Sequence, residues 1–317
     1  RALFHSGLLA SHRLPVATVV VGNISVGGTG KTPLVLAIVE RLTRAGRRCG
    51  IVTRGYVPRG APDHSDFVIH VVPHKADAPQ AGDESILLAN RCAVPVYAGR
   101  DRVEAGRTLL RNHPEVDTVV CDDGLQHYAL ARDFEIAVID VARGFGNGGM
   151  LPAGPLREPV SRLASVNAIV LHTSASDAVG TGNVPLVEGV PKVTMRLGNE
   201  AFVQLQGGQA QTVAQMLAQS AGRRIVALAG TGHPQRFFDH LARLGLSLHA
   251  TQAFPDHHPF KEADIAAIDA DIVLMTEKDA VKCRKFADTR LWFMRVDALV
   301  PNTLNDLLLE RLFNLGK

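Results

Sequence analysis

No apolar run in this chain reaches the roughly 18 residues that a membrane-spanning helix needs, which argues against an integral membrane protein. Cysteine is scarce. Cys49, Cys92, Cys121 and Cys283 form no Cys-x-x-Cys pair and show no metal-ligand spacing, which argues against a thiolate metal centre and suits a reducing cytosol. Neither sign of charge dominates: 34 Lys and Arg against 31 Asp and Glu leave +3, too little for general nucleic-acid binding. Internal repeats and low-complexity tracts are also missing, and 46% hydrophobic with 21% charged residues leaves no room for a large disordered part. These absences leave a globular chain of 317 residues, long enough for one large α/β unit or two domains. Residue 1 is Arg, not Met, so a further N-terminal piece is expected upstream. Residues 1–15 are apolar on one side and basic on the other. That pattern fits the tail of an amphipathic helix lying on a membrane, or a helix packed on the domain surface.

The most informative stretch that is present runs from Val19 to Thr32. Val19-Val20-Val21 reads as a buried strand, and a glycine-rich turn to Gly30-Lys31-Thr32 then opens a helix with Leu34-Val35-Leu36. This is the layout of a phosphate-binding P-loop. Glycines let successive backbone N–H groups converge on a polyphosphate, and the helix N-terminus adds partial positive charge. Ser25, Val26, Gly27, Gly28, Thr29, Gly30, Lys31 and Thr32 are the expected nucleotide cradle, with Lys31 on the β- and γ-phosphates and Thr32 on Mg²⁺. Ser25 stands where the usual first glycine would be, six residues before the lysine.

Strands and helices alternate through the first half. The pattern predicts strands at 16–21, 49–53, 66–71, 94–97, 118–121 and 135–140, and helices at 31–45, 84–91 and 102–112. Such a rhythm gives a P-loop-type α/β fold, a mostly parallel sheet with helices on both faces and ligands beyond the carboxyl ends of its strands. A Gly/Pro-rich stretch, 144–159, interrupts the pattern before a strand at 168–171. Residues 192–197 and 201–206 then suggest a two-stranded hairpin. Alternation resumes after Gly208 with strands at 225–229, 247–251, 272–275 and 291–296 and helices at 235–243, 262–268, 278–286 and 302–315. The expected organisation is a catalytic domain over 1–190, a hairpin hinge over 191–207 and a smaller α/β domain over 208–317.

Three acidic or histidine-bearing segments accompany the P-loop. Asp122 and Asp123 end an apolar strand, as a P-loop's metal partner should, and side chains adjacent on a strand diverge, so their roles should differ. Asp83, in Gly82-Asp83-Glu84, is either a helix cap or a base for a substrate hydroxyl. His257 and His258, beside Asp256, suit acid–base or orienting work, or a plain helix start. Near the strand ends Arg54, Arg100, Arg102, Gln126, His127 and Arg157 are candidates to clamp phosphate. Gly230-Thr231-Gly232 and Thr276-Glu277-Lys278-Asp279 read as ordinary βα turns, since the second lacks the Asn-Lys-x-Asp order that recognises guanine.

Taken together, these segments resemble the tetraacyldisaccharide 4′-kinases of lipid A synthesis. The resemblance rests on Gly22–Pro33 with its serine, Thr53-Arg54-Gly55-Tyr56, Gly82-Asp83-Glu84, Asp122-Asp123-Gly124-Leu125-Gln126-His127, Leu151-Pro152-Ala153-Gly154-Pro155-Leu156-Arg157-Glu158 and Phe254-Pro255-Asp256-His257-His258. The motifs occur in order over nearly the whole chain. The resemblance implies an ATP- and Mg²⁺-dependent kinase, peripheral on the cytoplasmic face of the bacterial inner membrane. Its acceptor is the 4′-hydroxyl of a tetraacylated glucosamine disaccharide 1-phosphate, and no nucleic acid or protein partner is implied. It implies two α/β domains joined by a two-stranded hinge, with the site between them. It also implies that Asp83 is the base, oriented by a histidine of the Asp-His-His segment, His257 being preferred and His258 the alternative, with Lys31 catalytic and Asp122 and Asp123 near the metal. Gln126, His127 and Glu158 match further active-site positions, and Arg54, Tyr56, Arg100 and Arg157 are assigned to the substrate side. Two other classes share the P-loop. A nucleotide-driven switch or metal-delivery protein would call for a thiol pair or a guanine-reading motif, and neither is found. A soluble small-molecule kinase would leave the N-terminal apolar segment unexplained.

Overall fold

The computed structural model describes residue 4 and residues 6–55, 67–75, 81–173 and 187–314. Its first strand, β1 (Ala17–Gly22), is apolar on both faces because it runs through the middle of a sheet covered on both sides. Helix α1 (Lys31–Arg44) follows the glycine-rich turn, burying Leu34, Val35, Ile38, Val39 and Leu42, and stops where Gly46 takes φ +85°. Then come β2 (Cys49–Thr53), β3 (Ile69–His70), α2 (Asp83–Arg91), β4 (Val96–Ala98), α3 (Arg102–Asn112), β5 (Thr118–Cys121), β6 (Phe134–Asp140) and β7 (Ala168–His172). The Asp101 carboxylate caps α3 by accepting from the Val103 and Glu104 amides at 2.8 and 3.2 Å. The expected strand at 66–71 shrinks to Ile69–His70, and Asp66 lies outside the described residues.

The expected hairpin is instead one strand, β8 (Lys192–Gln204). Its first residues pair in parallel with β7, and the remainder pairs antiparallel with β13 (Leu291–Leu299). Gly198-Asn199 looks like a turn in the sequence, but Asn199 takes φ +54° within the strand, beside the register shift between Arg295 and Asp297. A bulge absorbs the irregularity without reversing the chain. Beyond β8 lie β9 (Ala210–Thr212), α4 (Val213–Ser220), β10 (Ile225–Ala229), α5 (Pro234–Arg243), β11 (Ala250–Ala253), α6 (Glu262–Ala266), β12 (Ile272–Thr276), α7 (Glu277–Cys283) and, after β13, α8 (Asn302–Asn314).

The described strands form one mixed, mostly parallel sheet in the order β11-β10-β12-β13-β8-β7-β6-β1-β5-β2-β4-β3, with β9 paired to β8. The expected α/β class with a large parallel sheet therefore holds. Strand β8 carries the sheet across its middle. Leu304, Leu308 and Leu312 of α8 return to the core formed by α1, so the end of the chain packs on the P-loop helix. The sheet places β6, β1, β5 and β2 side by side, so the turns that follow them leave from the same edge of the parallel strands.

Candidate active site

The turn after β1 is held open by its neighbours. Val26 N–H donates to the Pro155 carbonyl at 2.8 Å, Arg157 N–H to the Ile24 carbonyl at 2.7 Å, and Ser25 bridges Leu156. Ser25 has no positive φ, so the missing first glycine is no loss: the residue lies alongside Leu156 in a conformation open to any side chain. The glycines are needed further on. Gly27 takes φ +92° and Gly30 φ +87°, and a Cβ on Gly30 would meet Met195 Cε at 2.9 Å and His172 Nδ1 at 3.0 Å. His172 also faces the Thr29 carbonyl, 3.1 Å from Nδ1. Thr32 lies in the first turn of α1, at the helix N-terminus that attracts anions.

Lys31 Nζ donates to Asn23 Oδ1 at 3.2 Å and pairs with Asp123 Oδ1 at 3.4 Å. Asn23 is wholly buried; the sequence reading passed over it, although its place between the strand and the glycines was a usable signal. Asp122 and Asp123 lie just past β5 in a turn rather than on the strand, so their different surroundings come from the turn, where Asp123 takes φ +47°, and not from strand alternation. Burial raises the Asp123 pKa, but Lys31 and Arg157 (Nη1 at 3.3 Å from Oδ2) outweigh it and hold the carboxyl below its ordinary value. Asp122 is 1% exposed, and its Oδ1 has no hydrogen-bond partner among the described residues. Burial first, then Glu84 and Asp123, push its pKa up to about 7, against the opposing pull of Lys31.

A raised folded-state pKa has a definite sign. The folded chain holds a proton on Asp122 from the ordinary carboxylate range, about 3.9, up to about 7. The stability this contributes is fully present at low pH and is lost as pH rises through about 7. Asp122→Asn is expected to remove that share of the pH dependence. Thermal unfolding of the metal-free protein from pH 5 to 8 checks this, and an unchanged slope in the variant would refute it.

Asp83 is the first residue of α2, so it is not the helix cap; Gly82 is. It is 4% exposed. His257, from the loop after β11, reaches it: Nδ1 lies 3.0 and 3.1 Å from the two carboxylate oxygens. Burial raises the Asp83 pKa, but the His257 hydrogen bond and the Lys278 and Lys282 charges overcome this, so the carboxyl titrates below its ordinary range and is ionised. The hydrogen of this contact therefore resides on Nδ1, which donates. His257 takes φ +60° to make the reach. His258 turns away, to Asp264 Oδ2 at 3.1 Å, and packs against Phe254 and Phe260. Of the two histidines, His257 is the one brought to Asp83.

Beside Asp123 opens a cleft of about 930 Å³, lined by Arg54, Arg100, Arg102, Gln126, His127 and Arg157, with the exposed Phe67 and Leu151 at its rim. Arg102 is buried and braces the walls, donating to the Arg100 carbonyl at 2.8 Å and the Asp123 carbonyl at 3.3 Å. Burial, then Arg102, press the His127 pKa down to about 4, which keeps its imidazole neutral. Gln126 donates to the Asn23 carbonyl and to Glu158 Oε1, both at 2.8 Å. Glu158 also accepts from Tyr128 and faces Arg162, so its carboxylate is tied into the wall. Tyr56 lies outside the described residues. Among the described residues no three His, Cys, Asp or Glu side chains converge into a preformed metal cage.

The amide-lined turn, the lysine at the helix start, the acidic strand end and the histidine-held carboxylate together define a P-loop phosphotransferase. Comparison with known proteins narrows the class. The family model for LpxK, tetraacyldisaccharide-1-P 4′-kinase, matches residues 1–313. The tetraacyldisaccharide 4′-kinase of Chromobacterium violaceum is 45% identical over 317 residues, covering 98% of this chain and 88% of the relative. That of Azoarcus sp. strain BH72 is 46% identical, covering 98% and 86%. A crystal structure of LpxK from Aquifex aeolicus in complex with ATP superposes with a TM-score of 0.80 at 26% identity, covering 98% of this chain and 93% of that one. The chain belongs to the LpxK family of tetraacyldisaccharide-1-P 4′-kinases.

Proposed function

We propose that the chain performs the reaction its family is named for, moving the γ-phosphate of ATP to the 4′-hydroxyl of a tetraacyldisaccharide 1-phosphate in lipid A biosynthesis. The observation that carries this reading is the Asp83–His257 contact, a buried, ionised carboxylate held by a histidine 174 positions away in the chain. In this reading Ser25, Val26, Gly27, Gly28, Thr29 and Gly30 line the triphosphate, and Lys31 leaves Asp123 to meet the γ-phosphate. Asp83, aligned by His257, takes the proton of the sugar hydroxyl. The sugar oxygen bonds to the γ-phosphorus, the bond to the β-phosphate bridging oxygen breaks, and ADP leaves.

Mg²⁺ fits the acidic strand end, because a magnesium bound with nucleotide uses one or two carboxylates and the substrate's phosphates rather than a full protein cage. Thr32 and the unpartnered Asp122 oxygen would hold it, with Asp123 beside it. When bound it would neutralise charge on the triphosphate. Arg54, Arg100 and Arg157 give the cleft a phosphate-seeking wall suited to the acceptor's 1-phosphate, and Gln126, His127 and Glu158 shape it.

Two lobes, 1–190 and 208–317, would move about β8 and β13 over the segment 191–207, with α8 anchored on the first lobe. His257, in the second lobe, reaches Asp83 in the first only when the lobes are together, and closure of this kind would exclude water.

The protein would work at the inner-membrane surface. No helix among the described residues is long and apolar enough to cross a membrane. Leu8 and Leu9 are exposed, 74% and 45%, and give an interfacial contact. Leu8→Asp with Leu9→Asp is expected to reduce co-sedimentation with anionic phospholipid vesicles several-fold, and equal sedimentation would count against the contact. The reaction is tested by incubating the protein with γ-labelled ATP, Mg²⁺ and the acylated disaccharide 1-phosphate. A labelled, more polar lipid is expected; label released only as inorganic phosphate would overturn the reading.

A further inference from the structure

Lys278 follows the first residue of α7, in a turn whose sequence suggested nothing beyond a strand-to-helix connection. In the fold its ammonium lies beside the Asp83–His257 pair. Nζ lies 3.3 Å from Asp256 Oδ1, 3.4 Å from His257 Nε2, 3.5 Å from Glu84 Oε1 and 3.9 Å from Asp83 Oδ2. Its side chain is 18% exposed.

The contact with His257 is the informative one. An ammonium has three hydrogens and no lone pair, so it can only donate. A favourable contact with Nε2 requires that nitrogen to carry a lone pair. The ring hydrogen must then sit on Nδ1, the nitrogen facing Asp83. The other neutral tautomer would turn an N–H toward the ammonium and a lone pair toward the carboxylate, which is repulsive at both ends. The imidazolium would place a second cation 3.4 Å from the first, closer than the carboxylate oxygen that faces Nε2, Asp256 Oδ2 at 3.8 Å. Asp83 and Lys278 thus select the same state of the ring from opposite sides.

We propose that Lys278 is a positioning residue that locks His257 in the neutral, Nδ1-protonated tautomer, so that His257 aligns Asp83 without taking its proton. The proposal rests on the reading of Asp83 as base and adds where the proton stops. The imidazole nitrogen facing Asp83 already bears a hydrogen, so the proton abstracted from the sugar hydroxyl stays on the Asp83 carboxyl until the product leaves. Asp256 completes the arrangement by accepting from both Lys278 and the His257 backbone N–H.

The test joins ¹⁵N NMR of the imidazole rings with steady-state kinetics on the full chain, the His257 signals being assigned by their loss in His257→Gln. In the unsubstituted protein His257 is expected to show Nδ1 protonated and Nε2 as a lone pair. Lys278→Met is expected to lose that pattern and to lower kcat about tenfold, with KM for ATP and acceptor within about twofold. Lys278→Arg, which can still donate, is expected to keep the pattern and most of the turnover. An Nε2-protonated ring in the unsubstituted protein overturns the proposal, as does an unchanged ring pattern or unchanged kcat in Lys278→Met. The first result needs no Lys278 variant to fold, only the His257→Gln protein used for assignment. Asp83→Asn run alongside separates the two claims: if it keeps turnover, the base assignment falls, whereas the ring tautomer is read independently of activity.

Discussion

Asp83→Asn is expected to lower kcat about a thousandfold, within the range that a positioned general base supplies, while KM for ATP stays within about twofold. The substitution keeps size and shape at a site that is 4% exposed, so no cavity is opened. The Asn side-chain oxygen can still accept from His257 Nδ1, which lies within 3.1 Å of both carboxylate oxygens now. What disappears is the negative charge that takes the sugar proton. His257→Ala removes only the alignment, and its loss is expected to be smaller, on the order of tenfold to a hundredfold. Kinetics with saturating ATP and varied acceptor check both. Asp83→Asn with kcat within about tenfold of the unsubstituted protein would remove Asp83 from the base role, because a general base contributes at least about a hundredfold.

That Asp83 could be singled out at all shows which parts of this site are written locally. The P-loop is legible because its chemistry is backbone chemistry over a few consecutive residues, and Gly27, Gly30, Lys31 and Thr32 have no substitute at that spacing. The pairing of Asp83 with His257 spans 174 positions and is set by the whole sheet. From residues alone it came only through the family resemblance, which favours His257 with His258 as the alternative. Coordinates decide between them, because His257 takes φ +60° while His258 is spent on Asp264. Lys278 left no local mark, since a lysine at the start of a helix reads as a solvated charge.

Most helices and buried strands were legible from their apolar periods, as with Arg102–Asn112 and Ile225–Ala229, where the expected bounds match. The errors have physical causes. Strand β11 is an exposed edge strand, so no burial pattern marked its bounds, and it lies at Ala250–Ala253 instead of 247–251. Strand β9 and helix α4 were passed over because only Met216 of α4 is buried. The signal available was the capping box, in which Thr212 accepts from the Gln215 N–H at 3.3 Å and Gln215 accepts from the Thr212 N–H at 2.9 Å.

The second large effect is expected at Lys31. Lys31→Met should reduce kcat/KM for ATP about a thousandfold or more, as loss of a charge aimed at the transferring phosphoryl group does. The residue has two tasks that methionine cannot perform. One is to neutralise the γ-phosphate during transfer. The other is to offset the acidic strand end: Lys31 draws both Asp122 and Asp123 toward ionisation. Without it Asp122, already pushed up to about 7, rises further, so a larger fraction stays protonated near neutral pH and resists binding a cation. The variant should therefore need more Mg²⁺ to reach half-maximal rate, and this deficit should shrink as pH is raised from 7 to 9. Asp123 keeps Arg157 at 3.3 Å, so the folded state loses little, and thermal unfolding should move by only a few degrees. Lys31→Arg is not expected to rescue the rate, since a planar guanidinium does not reproduce the point charge of an ammonium. Equilibrium ATP binding, Mg²⁺ titrations at several pH values and kcat/KM on the same preparations decide the matter. A Lys31→Met protein with near-normal kcat/KM would show that the turn after β1 does not deliver its lysine to the phosphates.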